Sequence, residues 1–212
     1  MRLALVAFAA LVSLSGCEQA EESAAKSEFA AGTSAPNRGQ EAPSDTESRV
    51  YLDLDEARMG SEQGIMPAGV RSLIKTDGRM KHGEFRWDDA EIGAGKVQIF
   101  VDLDRQMVSA YRGGHEIGTA VILFGAFGKD TPLGSFPIER KISDYHSRTY
   151  DAPMPYTLWL TDDGVALHGS KVEWGASTRG CVGVPIEFAE HLFDVTREGD
   201  VVRIVRSQGK EV

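Results

Sequence analysis

From about residue 95 onward the chain is a succession of short β-branched runs broken by Gly, Asp and Pro. That punctuation restricts it to a mainly β fold. Val97-Gln98-Ile99-Phe100-Val101-Asp102-Leu103 carries β-branched and aromatic residues in partial alternation, the pattern of a half-buried strand. Asp104-Arg105-Gln106 turns it into Met107 to Tyr111. Gly113-Gly114 then leads into a third strand, Glu116 to Phe124. Residues 125–135 read as loop, punctuated by Gly125, Gly128, Pro132 and Gly134. Phe136 to Ile142 reads as a strand, followed by a polar loop with Tyr145, His146, Tyr150, Pro153 and Pro155. Tyr156 to Thr161, Val165 to His168 and Val201 to Val205 complete the strand set. Ile186 to Val195 places Ile186, Ala189, Leu192 and Phe193 on one helical face, and Pro185 is acceptable at a helix start.

Many short strands with Gly-rich turns and one clear helix predict a β-sandwich or barrel with one or two short helices. A doubly wound α/β fold would need alternating helices that are missing. Residues 94–206 form the expected main domain, and 207–212 a C-terminal tail. Residues 50–93 read as an extension packing on that domain. Within it, Leu54 to Met59 and Val70 to Ile74 read as short helical turns, and Phe85 and Trp87 as a short strand or packing arm.

Residues 1–16 read as a secretory signal: Arg2, then an almost wholly apolar run from Leu3 to Leu14. The run is too short to span a bilayer, which takes roughly 18 apolar residues. Leu14-Ser15-Gly16-Cys17 resembles a bacterial lipobox, which makes Cys17 the expected lipidation site; an ordinary cleavage with Cys17 incidental is the alternative. Residues 17–49 read as a disordered, acidic spacer. Positions 18–49 hold seven acidic and three basic side chains and Phe29 as the lone aromatic, too little apolar surface to offset ordering entropy. The expected location is the bacterial cell envelope, facing the periplasm from a lipid-anchored membrane tether. The net charge of −9 and the lack of basic clusters argue against nucleic acid as a partner.

The chain has two cysteines. With Cys17 accounted for by the leader, Cys181 has no disulfide partner. A lone thiol in an oxidising compartment risks damage, so its presence suggests a role. His168 lies thirteen residues upstream, at the end of an expected strand. An imidazole can take a thiol proton and later return it to a leaving amine. A backbone carbonyl of the following turn, such as that of Gly169, would orient the ring. Gly180 allows close approach of a substrate, and the N–H groups of Gly180 and Cys181 are candidate oxyanion donors. A lone Cys is also commonly a small buried hydrophobe. Trp174 reads equally as a cleft wall or a core aromatic. His82, His115, His146 and His191 lack such company. No metal-ligand spacing and no phosphate-loop ending occur, so no metal or cofactor is expected.

His168-Gly169, followed by Thr178-Arg179-Gly180-Cys181-Val182, resembles the signature of the YkuD-type L,D-transpeptidase family. Thr131-Pro132-Leu133-Gly134-Ser135-Phe136 resembles the family's Thr-Pro-x-Gly-x-Phe segment, and Val97 to Tyr111 its first hairpin. Two positions depart from the pattern. Arg179 stands where the family usually has His, and Gly183 where it has Arg or Asn. The resemblance implies a cysteine acyltransferase acting on peptidoglycan stem peptides. Cys181 would attack the third residue of a tetrapeptide stem, D-Ala would leave with a proton from His168, and Thr178, Arg179, Gly180 and Trp174 would line the substrate site. The acceptor would be a neighbouring stem, giving a 3→3 cross-link, or a protein amine. The alternatives are an L,D-carboxypeptidase or amidase, and a wall-binding module that has lost turnover.

Overall fold

A computed structural model describes residues 48–126 and 128–207. The expected signal, Cys17, most of the spacer and residues 208–212 lie outside the described residues. No described helix is long and apolar enough to cross a membrane.

The fold is mainly β, with two helices. In chain order the elements are β1 (Arg49–Tyr51), α1 (Leu54–Glu62), β2 (Ser72–Ile74), β3 (Phe85–Trp87), β4 (Val97–Asp102), β5 (Met107–Arg112) and β6 (His115–Val121). Then come β7 (Gly134–Pro137), β8 (Arg140–Ser147), β9 (Ala152–Trp159), β10 (Ala166–Gly169), β11 (Val182–Val184), α2 (Ile186–Val195) and β12 (Val201–Val205). The larger sheet has the order β1-β2-β6-β5-β4-β12-β7, with β3 also pairing β6; the smaller has the order β11-β10-β9-β8. Ile99, Val101, Val108, Ile117, Leu158, Leu167, Val182, Phe188, Leu192 and Ile204 form one buried cluster drawn from both sheets and α2.

Four expectations are corrected. Residues 145–155 are not a loop but the β8–β9 hairpin. Phe136 to Ile142 is not one strand: β7 pairs with β12 in the larger sheet, and after Ile138 the chain crosses to the smaller sheet as β8. Ser72–Ile74 is a strand, paired with β1, not a helical turn. The third strand ends at Val121, and Leu123 bridges instead to Gly183. The fold also takes in one residue beyond the expected spacer and tail boundaries. Arg49 is a strand residue with a buried guanidinium, and Ser207 is buried, its N–H donating to Asp102 Oδ1 at 3.3 Å.

Beyond the pairing of β2 and β3 with β6, two side-chain arrangements help bind residues 49–93 to the larger sheet. The Arg49 guanidinium donates to Ser72 Oγ at 3.1 Å, Glu116 O at 2.8 Å and Asp88 O at 2.6 Å, and pairs with the Asp88 carboxylate at 3.3 Å. Trp87 lies flat over Gly118, where an added methyl group would fall 2.2 Å from the indole ring. Its other neighbours are Phe188, edge-on at 5.6 Å, and His191, stacked at 4.9 Å. α1 opens with a capping box between Asp53 and Glu56. α2 has no side-chain cap at Pro185, but Lys141 reaches its C-terminal end and donates to the carbonyls of Phe193 and Thr196.

Candidate active site

β11 is only three residues long, yet it joins the two parts of the site. It pairs in parallel with β10, Leu167 opposite Val182 and His168 opposite Gly183. On its other side Gly183 exchanges both backbone hydrogen bonds with Leu123, at 2.8 and 2.9 Å. Leu167 and Val182 point into the core. Side chains alternate along a strand, so His168 and Gly183 occupy the opposite face. Cys181 directly precedes Val182, so it stands at the start of β11, beside the strand that carries His168.

His168 is buried, and its Nδ1 lies 2.9 Å from Gly169 O. A carbonyl accepts only, so Nδ1 carries the proton and Nε2 keeps its lone pair. Ser170 Oγ lies 3.3 Å from the same Nδ1. Burial holds the imidazole below its usual range, partly offset by the Gly169 carbonyl. The Cys181 thiol is half-buried and donates to Gly164 O at 3.6 Å. Burial pushes it above its usual range; the Ala166 N–H and the Lys129 charge pull it back, and Asp163 opposes them. Both shifts favour the neutral forms, thiol and imidazole, over thiolate and imidazolium.

The Cys181 loop is held by hydroxyls. Thr178 Oγ1 donates to Cys181 O at 2.5 Å, and Thr131 Oγ1 lies 3.4 Å from the same oxygen. Gly125 N donates to Thr131 Oγ1 at 2.8 Å, which ties the 125–131 segment to the loop. Gly180 has φ of +94°, a conformation that favours glycine. Among the described residues, neither the Gly180 nor the Cys181 N–H donates to a protein acceptor. Two free donors beside a thiol suit an incoming oxyanion.

The other expected site residues differ in what they touch. Arg179 is exposed and its guanidinium sits over the Tyr150 ring at 5.3 Å. The charge of Lys129 favours the thiolate. Trp174 is 87% exposed, its ring edge-on to His82 at 5.4 Å, which rules out the core-aromatic reading. Thr178 acts on the backbone of the loop. Ser170 and Lys129 were not legible in the sequence, because nothing in spacing marks them. Thr131 was visible only through the Thr-Pro-x-Gly-x-Phe segment. Among the described residues no group of three His, Cys, Asp or Glu side chains is placed to hold a metal.

Residues 96–204 match the family model of the YkuD L,D-transpeptidase catalytic domain. The chain belongs to this family. Among solved structures, it is similar to an L,D-transpeptidase (Yku) from Stackebrandtia nassauensis, with 22% identity over 59% of this chain and 62% of that one, TM-score 0.48. It is also similar to an L,D-transpeptidase from Mycobacterium tuberculosis H37Rv, with 18% identity over 52% and 58% of the two chains, TM-score 0.48. A cysteine-to-serine mutant of an Enterococcus faecium L,D-transpeptidase gives 23% identity over 53% and 50%, TM-score 0.47. The chain thus spans about three fifths of the first of these structures. No curated protein matches it.

Proposed function

We propose that this domain is a peptidoglycan L,D-transpeptidase with Cys181 as nucleophile and His168 as its base. The observation that carries the reading is the Nδ1–H···O=C bond from His168 to Gly169, which leaves Nε2 as the basic nitrogen, on the strand beside the one that Cys181 leads into. In the first step Sγ attacks the carbonyl carbon of the third residue of a tetrapeptide stem, and its proton passes to Nε2. The oxyanion meets the N–H groups of Gly180 and Cys181. The C–N bond then breaks, and the departing D-Ala amine takes the proton from His168. In the second step an acceptor amine attacks the thioester, gives its proton to Nε2, and the C–S bond breaks to restore the thiol. A neighbouring stem as acceptor yields a 3→3 cross-link; a protein lysine yields an anchored protein. Neutral resting partners fit this order, because the proton moves only as the substrate is attacked.

The test is mass spectrometry of the soluble domain incubated with a disaccharide-tetrapeptide, with and without Cys181→Ala. Loss of D-Ala with dimer formation, abolished in Cys181→Ala, is the expected result. The variant's unfolding free energy should stay within about 1 kcal/mol of the parent. Monomeric tripeptide alone would make the enzyme a carboxypeptidase, and retained turnover in Cys181→Ala would remove the nucleophile assignment. The membrane tether belongs to the same proposal and rests on Leu14 to Cys17. Incorporation of a fatty-acid analogue that is lost in Cys17→Ala tests it.

A further inference from the structure

The proposed mechanism leaves one cation beside the nucleophile without a task. The methylene stem of Lys129 lies along Gly180. A methyl group added at Gly180 would fall 3.2 Å from Cε, 3.3 Å from Cγ and 3.4 Å from Cδ. The backbone carrying Lys129 is itself confined, since a methyl group at Gly125 would fall 2.4 Å from Lys129 O and 2.8 Å from Gly180 N. The stem is therefore held against the residue that precedes Cys181. The ammonium at its end has no ion-pair or hydrogen-bond partner among the described residues, and its charge reaches the thiol. Other cations nearby are engaged: Arg179 lies over Tyr150, and Arg206 pairs with Asp104 at 2.7 Å. A lysine with an ordered stem and an unpaired head is suited to an anion that arrives with the substrate.

The acyl-transfer reading supplies one such anion. The leaving D-Ala is the last residue of a tetrapeptide, so its carboxylate sits on the Cα directly after the attacked carbonyl. That is within one ~3.8 Å step along the chain. A pentapeptide would present a neutral amide there and carry its carboxylate one residue further on. We infer that Lys129 binds the terminal carboxylate of the donor stem and so selects a donor that ends one residue beyond the scissile bond. This inference rests on the proposed transpeptidase function.

The test compares two donors, a tetrapeptide ending in D-Ala and the same peptide ending in D-Ala amide. The wild-type domain, Lys129→Gln and Lys129→Arg are each assayed for release of the fourth residue. Alkylation by iodoacetamide, a neutral reagent, separately reads thiol reactivity. The expected wild-type preference is about tenfold in kcat/KM for the acid, a modest ratio because the ammonium is partly solvated. Lys129→Gln should bring the ratio near one, and Lys129→Arg should retain most of it. A preference that survives in Lys129→Gln would overturn the assignment. So would a parallel fall on both donors matched by slower alkylation, because Lys129 would then act only on the thiol. If the wild type alkylates normally but releases nothing from either donor, the transpeptidase reading fails and the Lys129 assignment falls with it.

Discussion

The Arg49 clasp and the Cys181 loop are both polar arrangements set into the fold, but they treat their hydrogen-bonding groups in opposite ways. Arg49 uses all three guanidinium nitrogens on Ser72, Glu116 and Asp88. At the Cys181 loop the neighbours fix the backbone through Thr178 and Thr131. There the Gly180 N–H, the Cys181 N–H and His168 Nε2 have no protein partner among the described residues. A satisfied cluster holds structure together. One whose framework is satisfied and whose central groups are free is prepared for a substrate. The contrast predicts that changes at the clasp move stability and changes at the loop move rate.

The sharpest separation is expected at His168. His168→Gln should slow acylation by about 10²–10⁴-fold while leaving the denaturant midpoint nearly unchanged; stopped-flow acylation and urea unfolding together check this. Unaltered acylation would remove His168 as the base. Arg49→Met should do the reverse. Removing the buried guanidinium orphans two carbonyls and takes the charge partner from the Asp88 carboxylate, at a cost of about 3 kcal/mol in unfolding free energy, while iodoacetamide alkylation of the folded fraction stays at the parent rate. A large change in alkylation would mean that the two regions are coupled. Gly183→Ala probes the packing behind the base, since the added methyl would fall 3.0 Å from Ser170 Oγ. It should lower kcat/KM about fivefold through ~1 kcal/mol of crowding, and Ser170→Gly in the same chain should recover most of it. The smallest effect is in the pH profile. Burial disfavours imidazolium at His168, so the neutral base persists to lower pH and the acid limb of kcat/KM should have its midpoint below 6.5. A midpoint above 6.5 would point to a thiolate–imidazolium pair instead.

The strands with alternating apolar residues were legible because each has a long partner. β4, β5 and β12 follow from Val97 to Tyr111 and Val201 to Val205, and α2 from its apolar spacing, although its buried face is Phe188, Ala189 and Leu192 and Ile186 is exposed. The β8–β9 hairpin was hidden by Pro153 and Pro155, residues that normally argue against a strand. They are tolerated because β10 pairs β9 only at Leu158 and Trp159. The N-terminal half of β9 therefore has one free side, and no donor is needed there. β2 was misread because three residues carry no period, and its pairing with β1 is a tertiary fact. At the site, Cys181 and His168 stood out as the one unpaired thiol and a His at a strand end. Lys129 and Ser170 did not, since their positions depend on a loop folding back and on the missing side chain of Gly183.

The seat of Trp87 over Gly118 bears on how this protein should be cut for the laboratory. A fragment begun at residue 96, where the family match starts, would lose β1, β2 and β3 together. β6 would then lose every neighbour except β5, and an uncovered edge strand invites intermolecular pairing. Phe188 and the flat surface of Gly118 would be wetted at the same time. Such a truncation should precipitate or dimerise, whereas one begun upstream of Arg49 keeps the edge covered. The boundary of the foldable unit is set by this covering layer, and it lies well before the boundary of the family resemblance.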